Sequence, residues 1–218
     1  MSFIFKLSVL VLVIIVGATC SDYKYKLSYF DIRGRGEFIR FIFSAAQEPF
    51  EDNRIKESDW PSLKPTTPFG QLPVLEVTDD DGETTVISQS KAIARFLAKQ
   101  FEFDGEDDLE DALIDMYADQ LGDTFDSVAG RNLTKEERDK ILDKNIEFFE
   151  SRLNKNGRGF LVGKSLSWAD IYLSQLTDFL GDEKQEYLED YPNVASLDRH
   201  VRGLPGVSEW IARRPPRR

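Results

Sequence analysis

The chain has 218 residues, of which 41% are hydrophobic and 12% aromatic, an ordinary balance for a globular protein. Its net charge of −11 argues against nucleic acid or an anionic membrane surface as a partner. The chain carries a single cysteine, Cys20, and a single histidine, His200, which excludes a paired-cysteine redox centre.

Residues 1–20 are read apart from the rest. A short start with one positive charge precedes an aliphatic run over residues 7–16, and Gly17-Ala18-Thr19-Cys20 supplies the small residues of a cleavage site. The pattern predicts a secretory signal peptide, because a membrane span needs roughly 20 apolar residues and this run has about half of them. A lipid-anchored Cys20 is the alternative, though the leucine usual at such sites is missing. Cleavage after Cys20 leaves about 198 of the 218 residues and no thiol, so sulfur chemistry then has to come from a ligand. The sequence therefore predicts a secreted, extracellular protein with no membrane contact once the signal is removed. The sequon Asn132-Leu133-Thr134 fits that route as a glycosylation site on a surface loop, since Thr134 also opens a helix capping box.

The mature chain changes character near residue 102. Ahead of it the patterns predict a strand over residues 25–30, a helix over 37–47, a possible strand over 50–55, and a hairpin of residues 74–77 and 84–88 around Asp79-Asp80-Asp81-Gly82. A further helix carries Ile93, Phe96 and Leu97 on one face. Beyond the acidic stretch 102–108, every periodic segment reads as helix. Leu109, Leu113, Met116, Tyr117 and Leu121 form one expected apolar stripe, and Ile141, Leu142, Ile146, Phe149 and Leu153 a second. Ser167 and Asp170 frame the start of another helix. The reading is a small α/β domain at residues 22–101, built as βαβ then ββα, followed by an all-helical domain at residues 102–218.

Two places concentrate candidate chemistry. In residues 26–43 a strand ending in Tyr29 runs into Arg33-Gly34-Arg35-Gly36 and then into an apolar helix. The two glycines resemble a dinucleotide loop, but its third glycine and its later acidic residue are missing. In residues 70–74, Pro73 stands directly before an apolar strand, where it either ends an edge or adopts a cis bond in a tight turn. A cis bond would present the backbone of Leu72 to a peptide-like ligand. Ser88-Gln89-Ser90 starts a helix, either as an ordinary cap or as a seat for a carboxylate at the helix N-terminus.

These stretches, "YKLSYFDIRGRGEFIRFIF", "DWPSLKPTTPFGQLPVLEV", "ISQSKAIARFLAK", "SLSWADIYL" and "LPGVSEWIARRP", resemble the cytosolic glutathione transferases, in particular the sigma class that includes glutathione-dependent prostaglandin D synthases and helminth relatives. The amino-terminal signal is the departure from that pattern. The resemblance implies a thioredoxin-like domain, an all-α domain, a homodimer, and glutathione as co-substrate. Position by position it implies a catalytic Tyr29, glutathione contacts at Arg35, Trp60, Lys64, Gln71, Leu72, Gln89 and Ser90, a cis Pro73, and an Asp123 that reaches the glutathione of the partner subunit. Gly122 replaces one position of the acidic cluster that binds divalent metal in the prostaglandin synthases and leaves Asp119 and Asp123, so no metal requirement is expected.

In that setting Tyr29 and Arg35 are expected to hold a thiolate, with Tyr29 donating its proton in a hydrogen bond. Taken alone, Tyr29 also reads as a strand-end tyrosine with a solvated hydroxyl. The second substrate is expected against Phe30 and Arg35, with Tyr117, Gln120 and Tyr172 on the helical side, although these last three have a core-packing reading too. His200 reads as a surface or core residue. The expected activity is conjugation of glutathione to small hydrophobic electrophiles. Glutathione-dependent isomerisation of prostaglandin H2 to D2 is the alternative enzyme, and a non-catalytic, crystallin-like protein the alternative of another class.

Overall fold

The computed structural model describes residues 23–129 and 132–215. The expected signal peptide and the end of the arginine-rich tail lie outside the described residues.

Four strands form one sheet in the order β2-β1-β3-β4. Strand β1 (Lys24–Phe30) lies inside it, parallel to β2 (Glu51–Ile55) and antiparallel to β3 (Val74–Thr78), which pairs with β4 (Thr84–Ser88). Tyr25, Leu27 and Tyr29 alternate along β1 and are all buried, the period-two pattern of a strand packed on one face. The hairpin closes as expected at residues 79–83: the Glu83 N–H donates to the Asp79 side chain at 2.8 Å, and Gly82 takes a φ of 82°.

Helix α1 (Glu37–Ala46) crosses from β1 to β2. It is buried on nearly every side because it is clamped between the sheet with α3 (Ser90–Gln100) and two helices from later in the chain, α6 (Trp168–Leu176) and α9 (Pro205–Arg213). The stack of Phe38 on Tyr172, with ring centres 4.1 Å apart, joins α1 to α6. Each aromatic side chain buried there contributes about 1.5–3 kcal/mol. Glu37 accepts from Trp210 Nε1 at 3.1 Å and from Arg214 Nη1 at 2.8 Å, which ties the end of the chain to the first helix. A short helix, α2 (Trp60–Leu63), lies between β2 and β3.

The helical part begins at α4 (Asp108–Val128), capped by the Asp107 side chain on the N–H groups of Leu109 and Glu110. The expected α4 stripe is corrected here. Leu109 is 69% exposed and Met116 50% exposed, and the buried row is Ile114, Tyr117, Ala118, Leu121, Phe125 and Val128. Two apolar rows overlap on this helix, about one residue apart, and periodicity alone does not say which faces inward. Helix α5 (Lys135–Asn156) buries Leu142, Ile146, Phe149 and Leu153 as expected, starts at the Thr134–Glu137 capping box and ends at Gly157 with a φ of 67°. The Ser167–Asp170 box starts α6, the fully buried central helix. Helices α7 (Lys184–Tyr187) and α8 (Pro192–Gly203) complete the bundle. His200 is exposed on α8 with its ring against Phe160, in keeping with the surface reading. Among the described residues no helix is long and apolar enough to cross a membrane.

Candidate active site

Tyr29 is the last residue but one of β1, with only 7% of its surface exposed. The turn after β1 folds back over its ring, and this is what the two glycines permit. A Cβ on Gly34 would lie 2.6 Å from the Tyr29 hydroxyl, and one on Gly36 would lie 2.7 Å from the ring. Gly34 also has a φ of +41°. The backbone N–H of Arg35, between these glycines, donates to the Tyr29 hydroxyl at 3.0 Å. One lone pair of the oxygen is thereby used, and its O–H remains available to an acceptor outside the protein. Burial raises the pKa of this phenol above its usual value, against the Arg35 N–H and the charges of Arg35 and Arg40. The hydroxyl therefore keeps its proton at neutral pH and acts as a donor.

Arg35 reaches across to the helical domain, where its guanidinium pairs with Asp126 and lies 5.5 Å from the centre of the Phe125 ring. Helix α4 thus forms the wall facing Tyr29. Tyr172 stands behind it, its hydroxyl pushed well above the usual range by burial, against Arg35 and with Asp126, Asp123 and Tyr29 adding to the rise. Tyr117 and Gln120 are not part of this wall: Tyr117 packs on Phe148 and Phe149, and Gln120 donates to Asn145 at 3.0 Å, both toward α5. For Tyr117 the core reading is the correct one.

On the sheet side, the Phe30 ring lies between those of Tyr29 and Trp60, at 5.8 and 5.6 Å. Lys64 is exposed, its Cε 3.3 Å from where a Gly70 Cβ would stand. The Leu72–Pro73 peptide is cis, with Pro73 buried. Gln89 donates through Nε2 to Gln71 Oε1 at 3.3 Å, so both glutamines stand at one end of the hairpin. Gln89 holds a φ of 75°, a conformation that non-glycine residues adopt at a cost and that clusters at ligand sites. Ser90 is buried in the first turn of α3 beside it. Asp123 is exposed on α4.

Sequence reasoning missed Phe125, Asp126 and Arg40. Arg40 is fully buried, 5.8 Å from the Tyr29 ring centre, and paired with Glu37 and Asp52. Its signal was visible as a charge inside the apolar run "FIRFIF". Among the described residues no group of three His, Cys, Asp or Glu is placed to bind an ion. Asp119 is paired with Lys91 at 2.7 Å, and a Cβ on Gly122 would lie 3.2 Å from the Lys91 ammonium.

A phenol that keeps its proton thus stands beside the Arg35 backbone, near the end of β1 in a thioredoxin-like four-stranded sheet, with its O–H free to meet an acceptor from outside the protein. The comparisons give the family. Residues 25–99 match the model of the glutathione S-transferase N-terminal domain, and residues 115–214 that of the C-terminal domain. Glutathione S-transferase 1 of Ascaris suum is 42% identical, the match covering 88% of this chain and 97% of that protein. Human hematopoietic prostaglandin D synthase is 35% identical, with 88% and 96% covered. The crystal structure of monomeric Na-GST-3, a glutathione S-transferase from the hookworm Necator americanus, is 35% identical with a TM-score of 0.78, covering 88% of this chain and 98% of that one. The chain belongs to the glutathione S-transferase family. It is a glutathione transferase, with glutathione as co-substrate.

Proposed function

We propose that this is a sigma-like transferase in which the Tyr29 hydroxyl donates a hydrogen bond to the glutathione sulfur and holds it as the thiolate that attacks small hydrophobic electrophiles. The observation that carries the reading is the Arg35 N–H on the Tyr29 oxygen, which uses one lone pair of that oxygen and leaves its own O–H available to another acceptor. A cysteine-type thiol titrates at about 8.5, and lowering it by two units takes roughly 2.7 kcal/mol. One hydrogen bond to a charged acceptor contributes about 1.5–3 kcal/mol, so a single hydroxyl supplies most of the shift. Arg35 adds positive potential. Trp60, Lys64, Gln71, the Leu72 backbone, Gln89 and Ser90 are assigned to the tripeptide, with the α3 N-terminus facing a carboxylate. Asp123 is assigned to the amine of glutathione in the partner subunit.

The same proposal includes a homodimer. Phe69, ahead of the hairpin, and Met116 and Phe148 on α4 and α5 are 67%, 50% and 50% exposed, and they are assigned to the contact between subunits. The hookworm neighbour described as monomeric makes the oligomeric state a matter for measurement. We further assign residues 22–101 and 102–218 as the two domains. Export with loss of residues 1–20 and a glycan on the exposed Asn132 completes the proposal; amino-terminal sequencing beginning at Met1 on a cytosolic protein would overturn that part.

The likeness to human prostaglandin D synthase supports a second reading, isomerisation of prostaglandin H2 to D2 at the same thiolate. Lys91 beside Asp119 favours activity without divalent metal. Assay of the mature protein with glutathione and an aromatic halide, followed by product analysis with the endoperoxide, separates the two. Conjugation without D2 formation supports the first reading, and D2 as the main product the second. Neither product, with glutathione still bound, would leave the crystallin-like reading.

A further inference from the structure

A cleft of about 720 Å3 opens between α7 and α8, away from Tyr29, and its wall carries Lys184, Leu188, Asp198, Arg199 and Arg202. Lys184 is held there with only 19% of its side chain exposed, its Nζ 2.5 Å from Asp198 Oδ2. The other oxygen of Asp198 already accepts from Ser174, Thr177 and Arg202, at 2.7, 3.0 and 2.8 Å. Lys184 is the last member of a continuous chain of ion pairs. The chain runs from Asp31 and Arg54 through Asp52, Arg40, Glu37 and Arg214 to Asp178, where Arg33 and Arg202 join, and on to Asp198. These pairs join five arginines and Lys184 to Asp31, Asp52, Glu37, Asp178 and Asp198. Five of the cations are arginines, which do not release a proton near neutral pH. Lys184 is the one cation of these pairs that can release a proton near neutral pH, and it does so at the wall of the cleft.

We propose that Lys184 is a covalent modification site, an amine that takes acyl groups from acyl thioesters entering this cleft. The ammonium releases a proton to solvent, and the lone pair of Nζ adds to the thioester carbonyl. The C–S bond breaks, an amide forms, and the second proton leaves with the thiol. Burial and the adjacent Arg202 lower Lys184 to about 8, against the pull of Asp198 and Asp178. Asp182 and Glu189 also line the cleft, at exposed positions.

The test exposes the intact mature protein to the acetyl thioester of N-acetylcysteamine between pH 6.5 and 9.5 and measures each acetylated peptide by mass spectrometry. Lys184 should acetylate on the order of tenfold faster at pH 7.5 than exposed Lys140 and Lys155, with half of its maximal rate near pH 8. Lys184→Arg should remove this signal and leave glutathione conjugation unchanged. Lys184 reacting no faster than Lys140, or a midpoint near that of an ordinary lysine, would overturn the proposal.

Discussion

The Arg35 amide donates to the Tyr29 hydroxyl across 3.0 Å, while the Arg35 guanidinium reaches away to pair with Asp126 on α4. The backbone contact holds the phenol oxygen and occupies one of its lone pairs, so its own proton is left for another acceptor. In the proposed mechanism Arg35 acts twice: its amide positions the donor, and its guanidinium adds positive potential beside the sulfur.

That arrangement depends on the missing side chain at Gly36. Gly36→Ala should drive a methyl group against the Tyr29 ring, at 2.7 Å before relaxation, and cost about 1–3 kcal/mol of stability through overpacking. Conjugating activity should fall with it, because the ring has to move. A thermal melt and a conjugation assay that both match the parent would show that the close approach is not required.

How much of this was legible in the sequence differs from element to element. Strand β1, the hairpin and the two capping boxes were readable because each is a local pattern, an alternation or a pair of residues three apart. The inward face of α4 was not, since its two apolar rows lie side by side and only packing against α6 selects Ile114 over Met116. Within the site, Tyr29 and Arg35 stood out from a short motif. The Asp126 partner of Arg35 lies 91 residues away and nothing local marks it.

The buried Asp170 gives a pH dependence with a definite sign. It accepts from the N–H groups of Leu161 and Ser167, each at 2.8 Å, and burial nonetheless pushes its carboxyl up to about 6. An acid whose folded pKa lies above its unfolded value binds its proton more tightly in the folded state. Its contribution to stability therefore grows as pH falls through 6 and is complete below about 4, for a total of about 3 kcal/mol. Asp178 and Asp198, held low against burial by Arg202 and neighbouring cations, act in the opposite direction but are common to both proteins in a comparison. Denaturant melts should show the parent gaining on Asp170→Asn as pH falls from 7 to 4. The reverse drift would mean that the hydrogen bonds keep the carboxylate ionised.

Asp123 is exposed, so Asp123→Asn should leave folding within about 0.5 kcal/mol of the parent. If its carboxylate meets the glutathione amine, calorimetry should show a loss of about 1.5–3 kcal/mol in affinity, the worth of a charged hydrogen bond. Unchanged affinity at unchanged dimer content would remove Asp123 from the site.

Phe69→Glu places a charge on the most exposed aromatic ring of the α/β half. Sedimentation should show the parent as a dimer and the variant shifted toward monomer, with its melt little changed because the ring makes few contacts within its own chain. A parent that sediments as a monomer would contradict the assembly proposed here.

The central claim is that one hydroxyl stabilises the thiolate, and Tyr29→Phe isolates it. The phenyl ring keeps its packing on Phe30 and Arg40, and the tripeptide contacts assigned to Trp60, Leu72, Gln89 and Ser90 are untouched. Removing about 2–3 kcal/mol of thiolate stabilisation raises the bound thiol by roughly two pH units and slows conjugation at neutral pH on the order of 10- to 100-fold. The deciding measurement is the pH–rate profile of parent and variant at saturating glutathione, together with the ultraviolet absorbance of the bound thiolate. The account predicts a variant profile displaced upward by about two units, with its rate recovering in alkali. A variant that keeps the parent's apparent pKa and turnover would show that Tyr29 is a strand-end tyrosine and that the thiolate is held by something else.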